Sequence, residues 1–520
     1  MARTPLFSRL RKLFAVARVS REGQASEGPS RRDVLASFAA AVALASTPGA
    51  GSGCAGGKKG RIAIVGGGLA GVHCAYRLHQ AGVEFTLFEA ADRLGGRTWT
   101  GRGLFANDQI CELGGELLDT NFASMWQLAE ELGIQVDDRL DPPYGLATQE
   151  TFYVDGGVVD EATLLTQLAA VAGDIEADYD AAESDDAAFE ALDRETLSAW
   201  LDRRIPSATY PDLHAVLATA YRGEFGLENN QQSALNLIYL IGLDTDDFHI
   251  FGDSDERYHT HLGNDTFVTE MAATLPPEAI RLEHKLTAAS GAGPFTLLFE
   301  GPGGEVTEDF DRVVFALPFT TLRNCDLMGL ELSATKRQII RDVGYGTNAK
   351  VMAGFSRPVW LQDHDSAGAA TTDLAFQQCW DATPGQEGPT AVLTNFLGGA
   401  QGVASGEGTA AEWVQGTLLP GLETLWPGTQ AAWTPDSAVR MHWPTVPTML
   451  GSYTCYKPGQ WAFWSLEGER EGDLHFCGEH TSADFQGWME GGSESGGRVA
   501  QEKIGRVSCR ERVEISVVAV

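Results

Sequence analysis

Three glycines and one acid, correctly spaced, make the strongest chemical signal in this chain. Gly66, Gly68 and Gly71 fit G-x-G-x-x-G, with Ala70 inside the same turn. Glu89 follows near the ~20-residue offset at which a carboxylate accepts hydrogen bonds from an adenosine ribose. Gly66 permits a tight turn, Gly68 lets backbone approach a pyrophosphate, and Gly71 lets a helix pack closely on a strand. A helix N-terminus adds unpaired N–H groups and a dipole worth about 0.3–1 kcal/mol to a nearby anion. A second signal is Lys350. Gly344, Tyr345 and Gly346 precede it and Val351, Met352 and Ala353 follow, so it reads as a cation on a strand entering a core. An unpaired lysine there is costly, and one near a reacting oxygen would stabilise developing negative charge.

The elements that must hold these groups are legible. Arg61 to Val65 is an apolar β-branched run, a buried strand. A helix follows with Leu69, Val72, Ala75, Tyr76 and Leu78 apolar, and a second strand, Glu84 to Phe88, ends at Glu89. Next comes Arg93-Leu94-Gly95-Gly96-Arg97-Thr98, a Gly-Gly turn whose Arg97 can meet phosphates bidentately. This order resembles the FAD-containing flavin amine oxidases, the family of monoamine, polyamine and L-amino-acid oxidases. The resemblance runs over residues 60 to 505, densely at both ends and thinly from 150 to 340.

The resemblance assigns further residues. Gly478-Glu479, after the strand-like run Gly472 to Cys477, is similar to the family's second FAD motif, with Gly487, Trp488 and Met489 opening the next helix toward the flavin. Gly114-Gly115 resembles a turn whose backbone lies along the flavin, and Leu286 stands where a backbone contact to adenine is made. Lys350 takes the place of the lysine that holds a water against flavin N5. Trp443 falls where a ring packs beside the flavin, and Tyr453 and Trp488 where two rings sandwich the substrate amine. Members with covalent flavin carry a cysteine just before that tyrosine. Ser452 stands there and Cys455 is displaced, so the expectation is non-covalent FAD.

The reaction so implied is oxidative deamination of a primary or secondary amine, with oxygen as acceptor and hydrogen peroxide as product. No side-chain base is demanded, since the flavin carries the hard step. Three alternatives stay open. An L-amino-acid oxidase needs an arginine for the α-carboxylate; Glu116-Leu117-Leu118 follows the Gly-Gly turn instead, leaving Arg222 or Arg257 as substitutes, while Glu116 suits a cationic amine if it faces the pocket. The others are a desaturase or porphyrinogen-type oxidase and a non-catalytic flavoprotein.

Composition narrows the partners. The 520 residues carry a net charge of −33, which argues against a nucleic-acid partner; such a surface could steer cationic amines, and solubility accounts for the same charge without any function. The acidic run Asp174 to Glu195 reads as a solvated, Ala-rich helical face. No stretch reaches the ~20 apolar residues of a membrane span, and oligomeric state is not legible. Residues 1–57 read as an export leader: Ser30-Arg31-Arg32-Asp33-Val34-Leu35 resembles a twin-arginine signal, which implies a periplasmic or extracellular address. Cys54 makes lipid anchoring a minor alternative. The cysteines include no C-x-x-C pair and no metal-ligand group, and most read as buried apolar residues.

The fold class expected is α/β, α+β overall: a Rossmann-like FAD-binding domain discontinuous in sequence (60–120, 265–345 and 443–505) and a mixed sheet-plus-helix substrate domain (121–264 and 346–442). Helices are expected at Thr120 to Leu132 and Ser233 to Ile241, and Gly398 to Gly408 reads as a Gly-rich loop with no strand before it. No NAD(P) domain is visible, which favours an oxidase over a pyridine-nucleotide reductase. The tail 506–520 fits no landmark.

Overall fold

A computed structural model describes residues 60–140 and 148–507. The leader with Cys54, and nearly all of the tail with Cys509, lie outside the described residues.

Short apolar runs spread along the chain meet in one five-stranded parallel sheet. Its order is Leu474–Phe476, Arg312–Phe315, Ile62–Val65, Thr86–Phe88 and Ile280–Arg281. All four residues of the central strand are buried, as a parallel strand covered on both faces requires. The helix Leu69–Gln80 leaves this strand through Gly66, at φ +112°. It packs against the helix Met489–Val507, where a Cβ on Gly496 would stand 2.3 Å from the Ala70 carbonyl oxygen. Leu69, Val72, Ala75, Val314, Cys477 and Val499 share the core between helices and sheet.

Beside this sheet lies a four-stranded one, ordered Gly304–Phe310, Phe295–Gly301, Lys285–Gly291 and Asp326–Leu330. The Gly301 to Gly304 turn closes its hairpin. A seven-stranded sheet runs in the order Trp433–His442, Ala349–Phe355, Ala391–Leu397, Gln378–Asp381, Ser366–Thr372, Thr148–Val154 and Gly157–Val159. Every residue of Ala349–Phe355 is buried, so Lys350 does sit on a strand inside a core.

The middle of the chain departs from the sequence reading in four places. Gly398 to Gly408 is not simply a loop: the strand Ala391–Leu397 precedes it and Gly399–Ala404 is helical. Thr394 and Asn395 disguise that strand, because both are fully buried, and Asn395 donates to the carbonyls of Phe376 and Gln378. The acidic run forms two helices, Glu161–Ser184 and Asp186–Arg194, but is not wholly solvated. Asp178 is buried against Trp200 and Arg204, and Asp193 accepts from the backbone N–H groups of Gly459 and Trp461. The helix expected at Ser233 to Ile241 is only Leu235–Ile238, and the one at Thr120 to Leu132 starts at Ala123.

Gly173 is exposed within the long helix Glu161–Ser184, and nothing lies within 4 Å of where its Cβ would be. Gly173→Ala is therefore expected to raise stability by about 0.5–1 kcal/mol, the helix-interior cost of glycine, as read by urea unfolding.

Candidate functional site

The strand ends, the Gly-rich turns and the seven-stranded sheet enclose a cavity of about 1210 Å³. At one end the turn after Ile62–Val65 opens onto Glu89. One carboxylate oxygen of Glu89 accepts from Gly67 N–H at 2.6 Å and the other from Ala91 N–H at 2.7 Å. Burial raises its pKa, and these N–H bonds oppose the shift. Gly66, Gly68 and Ala70 line the cavity here, and a Cβ on Gly68 would find no atom closer than 3.9 Å. Gly71 is absent from the lining. A Cβ there would stand 1.9 Å from the Gly66 carbonyl oxygen, so its work is helix-to-turn packing. Leu286, on the inner strand Lys285–Gly291 of the four-stranded sheet, completes this end.

Arg97 joins the two glycine-rich segments. It pairs with Glu479 at 3.0 Å and also donates to the Ser452 carbonyl. The other Glu479 oxygen accepts from Gly487 N–H at 2.9 Å. Gly478 is at φ +132°, with the His480 ring where a side chain would go; that ring is fully buried, packed edge-on against Phe319 and held neutral by burial. Behind Gly487, Gln486 donates to the Tyr456 hydroxyl at 2.8 Å, and Tyr456 donates to Glu467 at 2.5 Å. Burial pushes Glu467 up to about 8 from an ordinary 4.5. A carboxyl raised in the folded state stabilises the fold below its unfolded value, and that contribution is lost as pH rises through the folded one. Thermal stability is thus expected to decline between about pH 4.5 and 8, and Glu467→Gln to flatten part of that decline in melts across pH.

At the deep end, Lys350 is 5% exposed and has three acceptors for its three N–H bonds. They are the Gly114 carbonyl at 2.7 Å, the Glu112 carbonyl at 3.3 Å and Glu116 at 2.6 Å. The second Glu116 oxygen accepts from the Trp380 indole at 2.7 Å. Glu116 does face the cavity, the condition set for its meeting a cationic amine, and each of its oxygens already accepts from one of these side chains. Gly115 lies against Met489, and Trp443 donates to the Leu113 carbonyl at 3.1 Å. Tyr453 and Trp488 both line the same cavity, and the Tyr453 hydroxyl donates to the Glu224 carbonyl.

The arginines suggested as carboxylate clamps lie elsewhere. Arg257 is bound by both oxygens of Asp138, and Arg222 stands 3.3 Å from Glu228; neither lines the cavity. The arginines that do are Arg97 and Arg139. Sequence reading missed Trp380, Asp119, Glu150, Glu224 and Glu256, all in the lining. In a chain with 71 acidic residues, no spacing singles those four acids out. Among the described residues no cluster could hold a metal ion.

Residues 69–503 match the family described as flavin containing amine oxidoreductase, and the chain belongs to it. It is similar to the flavin-dependent L-tryptophan oxidase RebO of Lentzea aerocolonigenes, at 25% identity over 84% of this chain and 96% of that protein. It is also similar to the flavin-containing amine oxidase B of Sus scrofa, at 24% identity over 85% of each. Among solved structures, a putrescine oxidase bound to putrescine superposes with a TM-score of 0.71 at 20% identity, over 86% of this chain and 99% of that one. FAD is the cofactor of this family. The open face of Gly68, the ribose-ready Glu89 and a cavity continuous from that turn to Lys350 fit it.

Proposed function

We propose that this protein is an oxidase that deaminates a primary or secondary amine, with oxygen as acceptor and hydrogen peroxide as product. The observation that carries the reading is Lys350, held by three acceptors beside Gly114 and Gly115 in the cavity that Tyr453 and Trp488 also line. The chemistry supplied by bound FAD is two-electron oxidation of the substrate C–N bond. Gly66, Gly68, Glu89, Arg97, Gly478 and Glu479 would hold its adenosine and pyrophosphate. Gly114, Gly115, Trp443 and Met489 would flank its ring.

The protein's own contribution is positioning and charge. Tyr453 and Trp488 confine the amine so that its α-carbon is presented in one orientation, and the half-buried rings limit water around it. Lys350 provides positive charge where oxygen becomes reduced, an electrostatic task that needs no proton transfer from carbon to a side chain. The imine released takes up water to give carbonyl and ammonia, or a shorter amine. An anaerobic panel of monoamines, diamines, polyamines and amino acids tests the reading. Some amine should bleach the flavin and, in air, yield peroxide; flavin that no amine reduces would sink the proposal.

The reading includes non-covalent FAD. Ser452 precedes Tyr453 with its hydroxyl bonded to Asn348, while Cys455 is buried beside Asn236 and absent from the cavity wall. Acid precipitation is expected to leave the yellow colour in the supernatant; colour in the pellet would refute it. Export also belongs to the reading, resting on the twin-arginine-like residues 30–35. Fractionation of cells expressing the chain with Arg31 and Arg32 intact or replaced by lysine tests it.

A further inference from the structure

Trp380 holds the deep end of the cavity together from the side of the seven-stranded sheet. It stands on the strand Gln378–Asp381, where Gln378 lies opposite Phe396 and Phe396 opposite Lys350. Residues two apart on a strand share a face, so Lys350, Phe396, Gln378 and Trp380 all belong to the face that lines the cavity. The Trp380 ring packs on Phe396 with 5.5 Å between centroids, and its own centroid lies 5.4 Å from Lys350 Nζ, within the range of a cation–π contact.

The indole N–H adds something the ring alone cannot. It donates at 2.7 Å to one Glu116 oxygen, and Lys350 donates at 2.6 Å to the other. The Glu116 backbone is fixed separately, because the Asn264 amide donates to the Gly115 and Glu116 carbonyls at 3.0 and 2.6 Å. What stays free is rotation of the carboxylate, and a donor on each oxygen stops it. Among the described residues the indole is the one donor to its oxygen, and the carboxylate is only 6% exposed.

Without that N–H, a nearly inaccessible oxygen loses its donor, a cost that drives the carboxylate to turn toward another. The ammonium already bonded to its second oxygen carries further N–H groups within reach. A carboxylate turned with both oxygens on Lys350 draws Nζ off the Gly114 carbonyl, which it meets at 2.7 Å. The cation then leaves the Gly114–Gly115 turn for the sheet.

We infer that Trp380 is a positioning residue for the oxygen half-reaction: acting through Glu116, its indole N–H keeps the Lys350 ammonium on the Gly114 carbonyl. The inference rests on the oxidase reading, in which Lys350 supplies charge where oxygen is reduced.

Two substitutions separate the N–H from the ring. Trp380→Phe keeps an aromatic wall and has no donor. Trp380→His places Nε2 where the indole nitrogen stands, since the five-membered rings superimpose, and drops the outer ring. Each holoenzyme is measured in two half-reactions: anaerobic reduction by the best amine of the panel, and reoxidation by oxygen after stoichiometric reduction with dithionite. For Trp380→Phe the oxygen rate should fall by about 10-fold relative to the amine rate, the scale of one hydrogen bond to a charged group. Trp380→His should keep that ratio within about threefold of wild type. The flavin midpoint potential, read against reference dyes, should drop in the first variant and hold in the second, because a cation drawn away no longer favours the added electrons.

Equal slowing of both half-reactions in Trp380→Phe, as a merely structural clip would give, overturns the inference. So does an oxygen-to-amine ratio like wild type, whatever the potential does, or a Trp380→His ratio as low as that of Trp380→Phe. Each of these leaves the oxidase reading standing. If Trp380→Phe holds no flavin, Trp380→His decides: a wild-type ratio and potential support the inference, and a fall of about tenfold in the ratio overturns it. If wild-type reduced enzyme reacts with oxygen no faster than free reduced FAD, the oxidase reading falls and the inference with it.

Discussion

Lys350→Met is expected to cut turnover by about a hundredfold to a thousandfold, the scale for losing one preorganised electrostatic group near a reacting oxygen. A second effect accompanies it. Lys350 and Glu116 are both nearly inaccessible, and removing one partner of such a pair strands the other charge at a cost of about 3–5 kcal/mol. Loss of activity alone would therefore not separate chemistry from misfolding. The double variant Lys350→Met/Glu116→Gln does so, because a glutamine can still accept from the Trp380 indole without bearing a charge. Its melting temperature should return toward wild type while turnover stays low. If turnover recovers with stability, the lysine is structural and the catalytic assignment is wrong. Stopped-flow reoxidation of reduced enzyme by oxygen then shows whether the slow step is the oxygen half-reaction.

Gly114→Ala is the second large effect. An added Cβ would stand 1.6 Å from the Arg97 carbonyl oxygen, which is backbone and cannot swing aside. That same carbonyl accepts from Gly115 N–H, and the Gly114 carbonyl accepts from Lys350. One methyl group thus displaces Arg97, the Gly-Gly turn and the lysine together. Purified Gly114→Ala protein should hold less than about a tenth of the wild-type flavin, since a shift near 1 kcal/mol per disturbed contact compounds over three contacts. The ratio of visible to ultraviolet absorbance after gel filtration reads this directly. Flavin content near wild type would mean that the turn is not part of the cofactor's seat.

Much of this site was legible because its parts are local. Ile62–Val65 and Arg312–Phe315 show as contiguous β-branched or aromatic runs, and the glycines of the first turn precede a regular helical pattern, so each can be read from a few neighbours. Lys350 stood out for a similar reason, as one charge in an apolar run. What escaped depends on partners far away in the chain. Glu116, Lys350 and Trp380 meet from three separate segments, so neither the ion pair nor the indole bond leaves a mark at any one of them. Asp178 and Asp193 looked solvated because the partners that justify their burial come from a later helix and from the 459–461 turn. The strand Ala391–Leu397 was hidden by two polar residues, Thr394 and Asn395, of which Asn395 finds its partners only in the neighbouring segment at Phe376 and Gln378.

The way the parallel sheet is threaded governs how the protein can be made. The central strand Ile62–Val65 precedes every other strand of the sheet; Thr86–Phe88 soon covers one of its edges, but the neighbour on the other edge arrives only after the chain has returned from afar, and Arg61 N–H bonds to Asp311, 250 residues further on. The far edge strand, Leu474–Phe476, comes later still. Contact order this high slows folding, and a nascent chain must wait with an open strand edge that other chains could extend. The cofactor cannot hasten the early steps, because Glu479 and the turn at Gly487 are made long after Arg97, with which Glu479 pairs. Flavin supply and chaperone capacity should therefore limit the yield of active protein more than transcription does.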